Sequence, residues 1–186
     1  MNNIIQALAA PCFIACITLT ACEKKDPVIP NPEELITTLT YTLVAGGGET
    51  AQFTFFDPDG DGGIAPVLTA DTLTANTSYT GVMTLRNEAQ TPPEDIGAEV
   101  AEEAEDHQFF FEVLQANATI SYDDTDSNGQ PIGLSSTLVT GEPSQGTLTI
   151  VLRHEPDKSA PGVANGQIAN AGGETDIEVT FDLVIR

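Results

Sequence analysis

The stretch ETDIEVTFDLVIR, residues 174–186, decides the fold. It alternates acids and threonine with five apolar residues, Ile177, Val179, Phe181, Leu183 and Ile185. A period of two is typical of a β-strand that turns one face to a core and the other to water. GTLTIVLRH (146–154) shows the same alternation, so two long strands are predicted near the C-terminus.

Short strand-like segments separated by turn residues occupy most of the chain from residue 35 onward. They are residues 36–45, 49–57, 66–73, 77–87, 109–114, 118–124 and 131–139. The run Gly46-Gly47-Gly48 predicts a hairpin between the first two, and Asn128-Gly129 predicts a later turn. With the two long strands this makes roughly nine. We therefore predict an all-β fold, an antiparallel β-sandwich of immunoglobulin-like or jelly-roll type.

Three residues of the segment 77–87, Tyr79, Val82 and Leu85, are candidates for the core. Residues 92–108, PPEDIGAEVAEEAEDHQ, break the strand pattern instead. Prolines and acids open this segment and good helix formers follow, as at the start of a helix. We predict one helix inserted into the sandwich. Residues 162–174 are expected to form a long loop.

The N-terminal 21 residues carry no charged side chain and end in Leu19-Thr20-Ala21-Cys22. This ending matches the bacterial lipobox, so we predict a lipoprotein signal peptide over residues 1–21 and lipidation of Cys22. Two alternatives stay open: a short transmembrane anchor, and a chance cysteine after an ordinary signal peptide. Residues 22–34 then form the lipidated cysteine and a proline-rich tether, and residues 35–186 form the sandwich domain.

The net charge of −22 lies entirely in the part of the chain after Cys22. Binding to nucleic acid needs clustered Lys and Arg, so nucleic acid is excluded as a partner. Cleavage also removes Cys12 and Cys16, which leaves no thiol for a disulfide, a zinc–thiolate site or a nucleophile. The expected partners are the membrane, through the lipid anchor, and cations or basic faces of envelope proteins.

The segment DPDGDG (57–62) places Asp57, Asp59 and Asp61 at alternate positions before a glycine, as a calcium loop does. Leu68 occupies the closing position, where an EF-hand needs a bidentate acid, so the segment is not an EF-hand. Calcium binds here only if the fold supplies another oxygen. The alternative is a turn whose aspartates bind their own backbone.

The segment YDDTDSNGQPIG (122–133) repeats this spacing with Asp124, Asp126 and Asn128. Ser135 stands at its closing position, so it also lacks the final acid. We predict a second conditional calcium site, again with a plain turn as the alternative.

The two histidines, His107 and His154, each adjoin an acid. On a continuous helix Glu103 and His107 lie one turn apart on the same face, so both could bind one ion. His154 ends a long strand and adds a ligand if the fold brings it near. Imidazole with carboxylate suits a transition metal such as zinc. The alternatives are a solvated Glu103 with His107 complementing the helix dipole, or a haem held by the two histidines.

Catalytic motifs are missing from the sequence: there is no nucleophile elbow, no HExxH and no phosphate loop. We therefore predict a protein that is not an enzyme.

Six segments together resemble small lipoproteins of Bacteroidetes, chiefly flavobacteria: residues 33–43, 57–62, 73–88, 102–111, 127–134 and 146–158. Members often carry the label "type 1 periplasmic binding fold superfamily protein", and some genes lie near TonB-dependent receptors. The resemblance implies an outer-membrane setting beside an uptake receptor. A type 1 periplasmic binding protein is a longer two-domain α/β chain, so we expect the β-sandwich rather than that fold.

Two hypotheses follow from these features. In the first, a lipid-anchored outer-membrane protein binds a ligand or partner, holds a metal and assists a TonB-dependent receptor. In the second, a structural or adhesive envelope protein is stiffened by calcium.

Overall fold

The computed structural model describes residues 35–60 and 62–186. The predicted signal peptide, Cys22, the tether and Asp61 lie outside the described residues. The strands are β1 Thr38–Ala45, β2 Thr50–Phe56, β3 Val67–Ala70, β4 Ser78–Arg86, β5 His107–Leu114, β6 Ala118–Tyr122, β7 Ser135–Thr140, β8 Ser144–His154 and β9 Glu174–Ile185. One helix, α1 Ile96–Glu102, lies between β4 and β5. The predicted all-β sandwich with nine strands and one inserted helix is confirmed for this part of the chain.

The strands form two antiparallel sheets. Sheet A has the order β3-β2-β1-β4-β7-β6, and sheet B has the order β5-β8-β9. The hairpin predicted at the triple glycine is present, because β1 pairs with β2 as far as Val44 opposite Thr50. At one edge Leu73, which precedes β4, bridges Ile185 of β9 and so links the two sheets.

The core lies between the inner faces of the sheets. Its largest fully buried side chains are Tyr41, Tyr79, Phe53, Phe109 and Phe181. Phe53 of sheet A meets Phe181 of sheet B edge to face, with ring centroids 5.6 Å apart. Aromatic pairs in this geometry add about 0.5–1.5 kcal/mol beyond the area that they bury.

The prediction that Val82 of β4 lies in the core is wrong. Tyr79 and Leu85 are fully buried as expected, but Val82 is 47% exposed. Successive strand residues face opposite sides, so residues 79 and 85 share a face that residue 82 cannot share. The inward position next to Val82 is Gly81, where a Cβ atom would lie 2.5 Å from the Tyr41 ring.

Tyr41 depends on this gap because its ring crosses above Gly81. Its hydroxyl forms a buried hydrogen bond of 2.7 Å with Ser136 Oγ. Burial raises the pKa of Tyr41 to about 12, and only part of this effect is offset by the Ser136 bond. The phenol therefore stays neutral in the folded protein well above its ordinary titration range.

The predicted helix is shorter than residues 92–108, and that prediction is wrong at its C-terminal end. Asp95 caps α1 by accepting the Ala98 N–H at 3.2 Å, and the helix ends at Glu102. Glu103 is the C-terminal cap, and His107 already belongs to β5. Pairing with β8 overrides the helix-forming composition of this segment. Within the described residues no helix is long and apolar enough to cross a bilayer.

The long connection between β8 and β9 covers the outer face of sheet B. It contains the predicted loop, which includes two short 3-10 turns, Val163–Asn165 and Ile168–Asn170. Val163 packs with Phe110 and Val151 in a small second cluster of buried residues. Gln108 of β5 donates to the Val163 carbonyl at 2.9 Å. The outer face of sheet B is thus covered around Phe110 and Val151.

Gly81→Ala is expected to lower the free energy of unfolding by about 1–3 kcal/mol, because the added methyl group overlaps the Tyr41 ring. Urea unfolding followed by circular dichroism measures this change. Gly47→Ala is the matched control, since a Cβ there meets nothing within 4 Å. Equal stability of the two variants would contradict the packing role of Gly81.

Candidate metal centre

His107 and His154 lie side by side at one end of sheet B. They are direct partners in the β5–β8 ladder, at the first residue of β5 and the last residue of β8. Their rings stack with centroids 4.8 Å apart and an interplanar angle of 12°. The fold therefore brings together the two histidines that the sequence singled out.

Asp176 completes the cluster from β9. The ladder between β8 and β9 pairs Leu152 with Ile177 but Arg153 with Thr175, so Asp176 is the extra residue of a β-bulge. Its Oδ2 lies 3.9 Å from His107 Nε2, and its Oδ1 lies 3.9 Å from His154 Nδ1. One ligand atom from each of the three residues lies within 4.8 Å of the other two.

The cluster is almost fully buried. The side chains of His107 and Asp176 are each 1% exposed, while that of His154 is 14% exposed. His107 Nδ1 lies 3.1 Å from the Glu103 carbonyl oxygen, a distance suited to donation by the ring N–H. Nε2 then carries the lone pair, and it is buried without a hydrogen-bond partner.

Glu103 has a different role from the predicted one. Its carboxylate is not among the converging ligand atoms, and its main-chain carbonyl orients His107 instead. A carbonyl that fixes the tautomer of a histidine is the usual supporting contact at metal sites. Asp176 escaped sequence analysis because strict alternation puts it on the outer face with Glu178. Only the register with β8 shows that the bulge turns it inward.

The donor set favours a borderline transition metal over calcium. Two imidazole nitrogens and one carboxylate are typical ligands of Zn²⁺ and Cu²⁺, whereas Ca²⁺ takes six to eight oxygens. At tetrahedral zinc with bonds of about 2.1 Å, ligand atoms lie about 3.4 Å apart. The ligand atoms, which lie within 4.8 Å of one another, would therefore close by up to about 1.4 Å on binding. The fourth position would be left for water.

In the first aspartate loop, residues 57–62, one aspartate binds the main chain of the same turn. Asp59 Oδ2 accepts a hydrogen bond from Ile64 N at 3.2 Å. Asp57 Oδ1 is buried and makes no hydrogen bond. Asp61 lies outside the described residues, so calcium binding by Asp57, Asp59 and Asp61 stays a prediction.

In the second aspartate loop, residues 122–133, two carboxylates accept hydrogen bonds from main-chain N–H groups. Asp124 accepts the N–H groups of Gly133 and Ser135 at 2.7 and 2.8 Å. Asp126 accepts the N–H groups of Asn128 and Gln130, both at 2.9 Å. Calcium binding by Asp124, Asp126 and Asn128 stays a prediction as well.

Lys158 forms a buried ion pair with Asp126, with Nζ 2.9 Å from Oδ2. It also donates to the Ala104 carbonyl at 2.5 Å, so it ties the β8–β9 connection to two other segments. Burial alone would raise the pKa of Asp126, but the Gln130 N–H and the Lys158 ammonium more than offset it and hold this pKa below its ordinary value. A calcium ion at Asp126 would have to displace Lys158.

No protein-family model, curated protein or solved structure matches this chain. Its function therefore has to be inferred from its own residues. Among residues 35–60 and 62–186, His107, His154 and Asp176 are the one group of three His, Cys, Asp or Glu side chains that converges closely enough for a metal ion.

Lys158→Met is expected to cost about 3 kcal/mol at neutral pH, because it leaves the Asp126 carboxylate buried without its cation. The pKa of Asp126 is lower in the folded protein than in the unfolded chain, where it is about 3.9. Asp126 therefore stabilises the fold above about pH 4, and this stabilisation is lost as the pH falls through its folded-state pKa. The difference between wild type and variant should therefore narrow below about pH 4.

Thermal unfolding across a pH series measures this difference. Arg86→Met removes an exposed positive charge and is the control. A deficit of the Lys158 variant that does not change with pH would contradict the pairing with an ionised Asp126.

Proposed function

We propose that this protein is a lipid-anchored, non-enzymatic module of the outer membrane that holds a divalent transition-metal ion at His107, His154 and Asp176. The observation that carries the proposal is the buried Nε2 of His107. It has no hydrogen-bond partner and lies beside a second imidazole and a carboxylate. A buried polar atom without a partner costs about 1–3 kcal/mol, and a metal ion bound there would remove that cost.

The two His–Asp contacts within the cluster are long. Both His–Asp separations are 3.9 Å, which is too long for a hydrogen bond. The stacked rings present two nitrogens toward one carboxylate, so a single cation between them could contact all three residues. Burial strengthens such charge interactions, because few water dipoles are close enough to screen them.

The burial of the cluster favours holding an ion over turning over a substrate. Three surface cavities of about 380, 480 and 430 Å³ lie on the described part of the molecule. None of these three is lined by His107, His154 or Asp176. The His154 side chain is the most exposed of the three, so a metal-bound water would be reached past its ring. This access suits an ion better than an organic substrate.

The charge and the N-terminal sequence supply the setting of the proposal. A net charge of −22 concentrates divalent cations near the surface. The lipobox ending at Cys22 would keep the domain at the membrane. In that position the module would capture or present a metal ion beside an envelope partner such as a TonB-dependent receptor.

Isothermal titration calorimetry with Zn²⁺, Cu²⁺ and Ca²⁺ tests the metal site. We expect one Zn²⁺ or Cu²⁺ per chain, and we expect His107→Gln, His154→Gln and Asp176→Asn each to weaken the affinity by about 100-fold. Asp182→Asn is the matched control, because it removes an exposed carboxylate from the same strand and should leave the affinity unchanged. Equal binding by wild type and all three site variants would reject the proposal.

A calcium-stiffened envelope protein is the second candidate function. It is favoured by Asp57, whose Oδ1 is buried and makes no hydrogen bond beside Asp59. In this case Ca²⁺ would raise the melting temperature by a few degrees, EDTA would reverse the rise, and Asp57→Asn would abolish it. Differential scanning calorimetry of wild type, Asp57→Asn and Asp182→Asn tests this. A melting temperature that ignores Ca²⁺ would remove this candidate.

A further inference from the structure

The strands of sheet A are nearly free of charge in a protein that is otherwise strongly acidic. The six strands contain a single charged residue, Arg86 at the end of β4. The outward positions are almost all threonine, serine and valine. One row across four strands consists of Thr69, Thr54, Thr40 and Thr84. Sheet B differs, since its strand β9 alone carries four acidic residues.

This face also carries most of the exposed apolar side chains. Nine large hydrophobic residues of the described chain are exposed. Five of them project from the outer face of sheet A: Val44, Phe56, Val67, Val82 and Val139. They stand among the threonines and serines of the face, so the face combines exposed methyl groups with hydroxyls.

The two sheets are also covered differently. The outer face of sheet B is packed under the β8–β9 connection through Val163. No described segment lies over sheet A in this way, and Val82 in the middle of β4 is 47% exposed. The outer face of sheet B therefore has an internal cover over part of its area, whereas no described segment covers that of sheet A.

The geometry points to a second copy of this chain as the occupant of this face. Two chains with a charge of −22 repel each other wherever their acidic surfaces meet. On sheet A that repulsion is weakest, because charge lies at the margin: Arg86 ends β4, Asp71 follows β3 and accepts the Gln52 N–H, and Asp123 follows β6 and accepts a hydrogen bond from Thr137. Threonine and valine are self-complementary, as a two-fold contact requires: methyl groups pack on methyl groups and hydroxyls both donate and accept.

The area of the outer face of sheet A is consistent with a dimer contact. The strands of sheet A cover roughly 600 Å² in projection, at about 3.3 Å per residue and about 4.8 Å between strands. Side-chain relief makes the accessible area larger, which approaches the roughly 800 Å² that each partner contributes to a standard interface. Twisted sheets pack face to face at about −30°, so the twist of sheet A is no obstacle.

Sedimentation equilibrium of the full chain in a non-ionic detergent tests the dimer. Thr80→Lys places a charge near the middle of the face and should weaken association at least tenfold. Thr180→Lys is the matched control, since Thr180 is equally exposed but lies on the outer face of sheet B. It changes the net charge by the same amount and should leave association unchanged. Added salt should strengthen the dimer by screening the repulsion between the chains.

A chain that stays monomeric at every concentration would overturn the inference, and so would a dimer that both lysine variants weaken equally. A monomer destabilised by Thr80→Lys but not by Thr180→Lys would also overturn it, because the face would then make its contact within one chain. The metal-binding variants provide a separate check, because the dimer contact lies on the other sheet and does not depend on them.

Discussion

The double pairing of β8 is the constraint on which the rest of the molecule depends. One of its edges pairs with β5 and places His107 opposite His154, and the other pairs with β9 and contains the bulge at Asp176. The same strand contributes Leu148, Ile150 and Leu152 to the core. The register that buries these apolar residues therefore also assembles the candidate metal centre. A slip of one residue would exchange the two faces and remove both.

One of the few basic residues of this acidic chain, Lys158, lies in the interior. The chain has six basic residues against 28 acids, yet Lys158 is buried and only 7% exposed. Its ammonium contacts Asp126 and the Ala104 carbonyl, so one scarce cation joins the β8–β9 connection, the second aspartate loop and the turn before β5. Most of the described acids are exposed, and a negative field of this size attracts cations.

Sequence alone predicted the fold well, because a strand with one buried face alternates apolar and polar residues. Strand β9 and the hairpin at Gly46-Gly47-Gly48 were therefore predicted correctly. The two histidines were chosen as candidate ligands because the chain has no others. Val82 was placed in the core because it is apolar, although two-residue alternation from Tyr79 and Leu85 puts it on the outer face. The helix was placed too long, because composition favoured helix up to residue 108 while pairing with β8 started a strand at His107. Asp176 was missed because a bulge is a property of two strands together, whereas a sequence pattern describes one.

The bulge at Asp176 also bears on how such a site could arise and disappear. One extra residue between Thr175 and Ile177 turns a carboxylate toward the two histidines, while the apolar alternation from Ile177 to Ile185 continues undisturbed. Loss of a single codon there would restore regular pairing and leave an intact sandwich without the Asp176 carboxylate. The candidate metal centre and the fold are thus genetically separable in this chain.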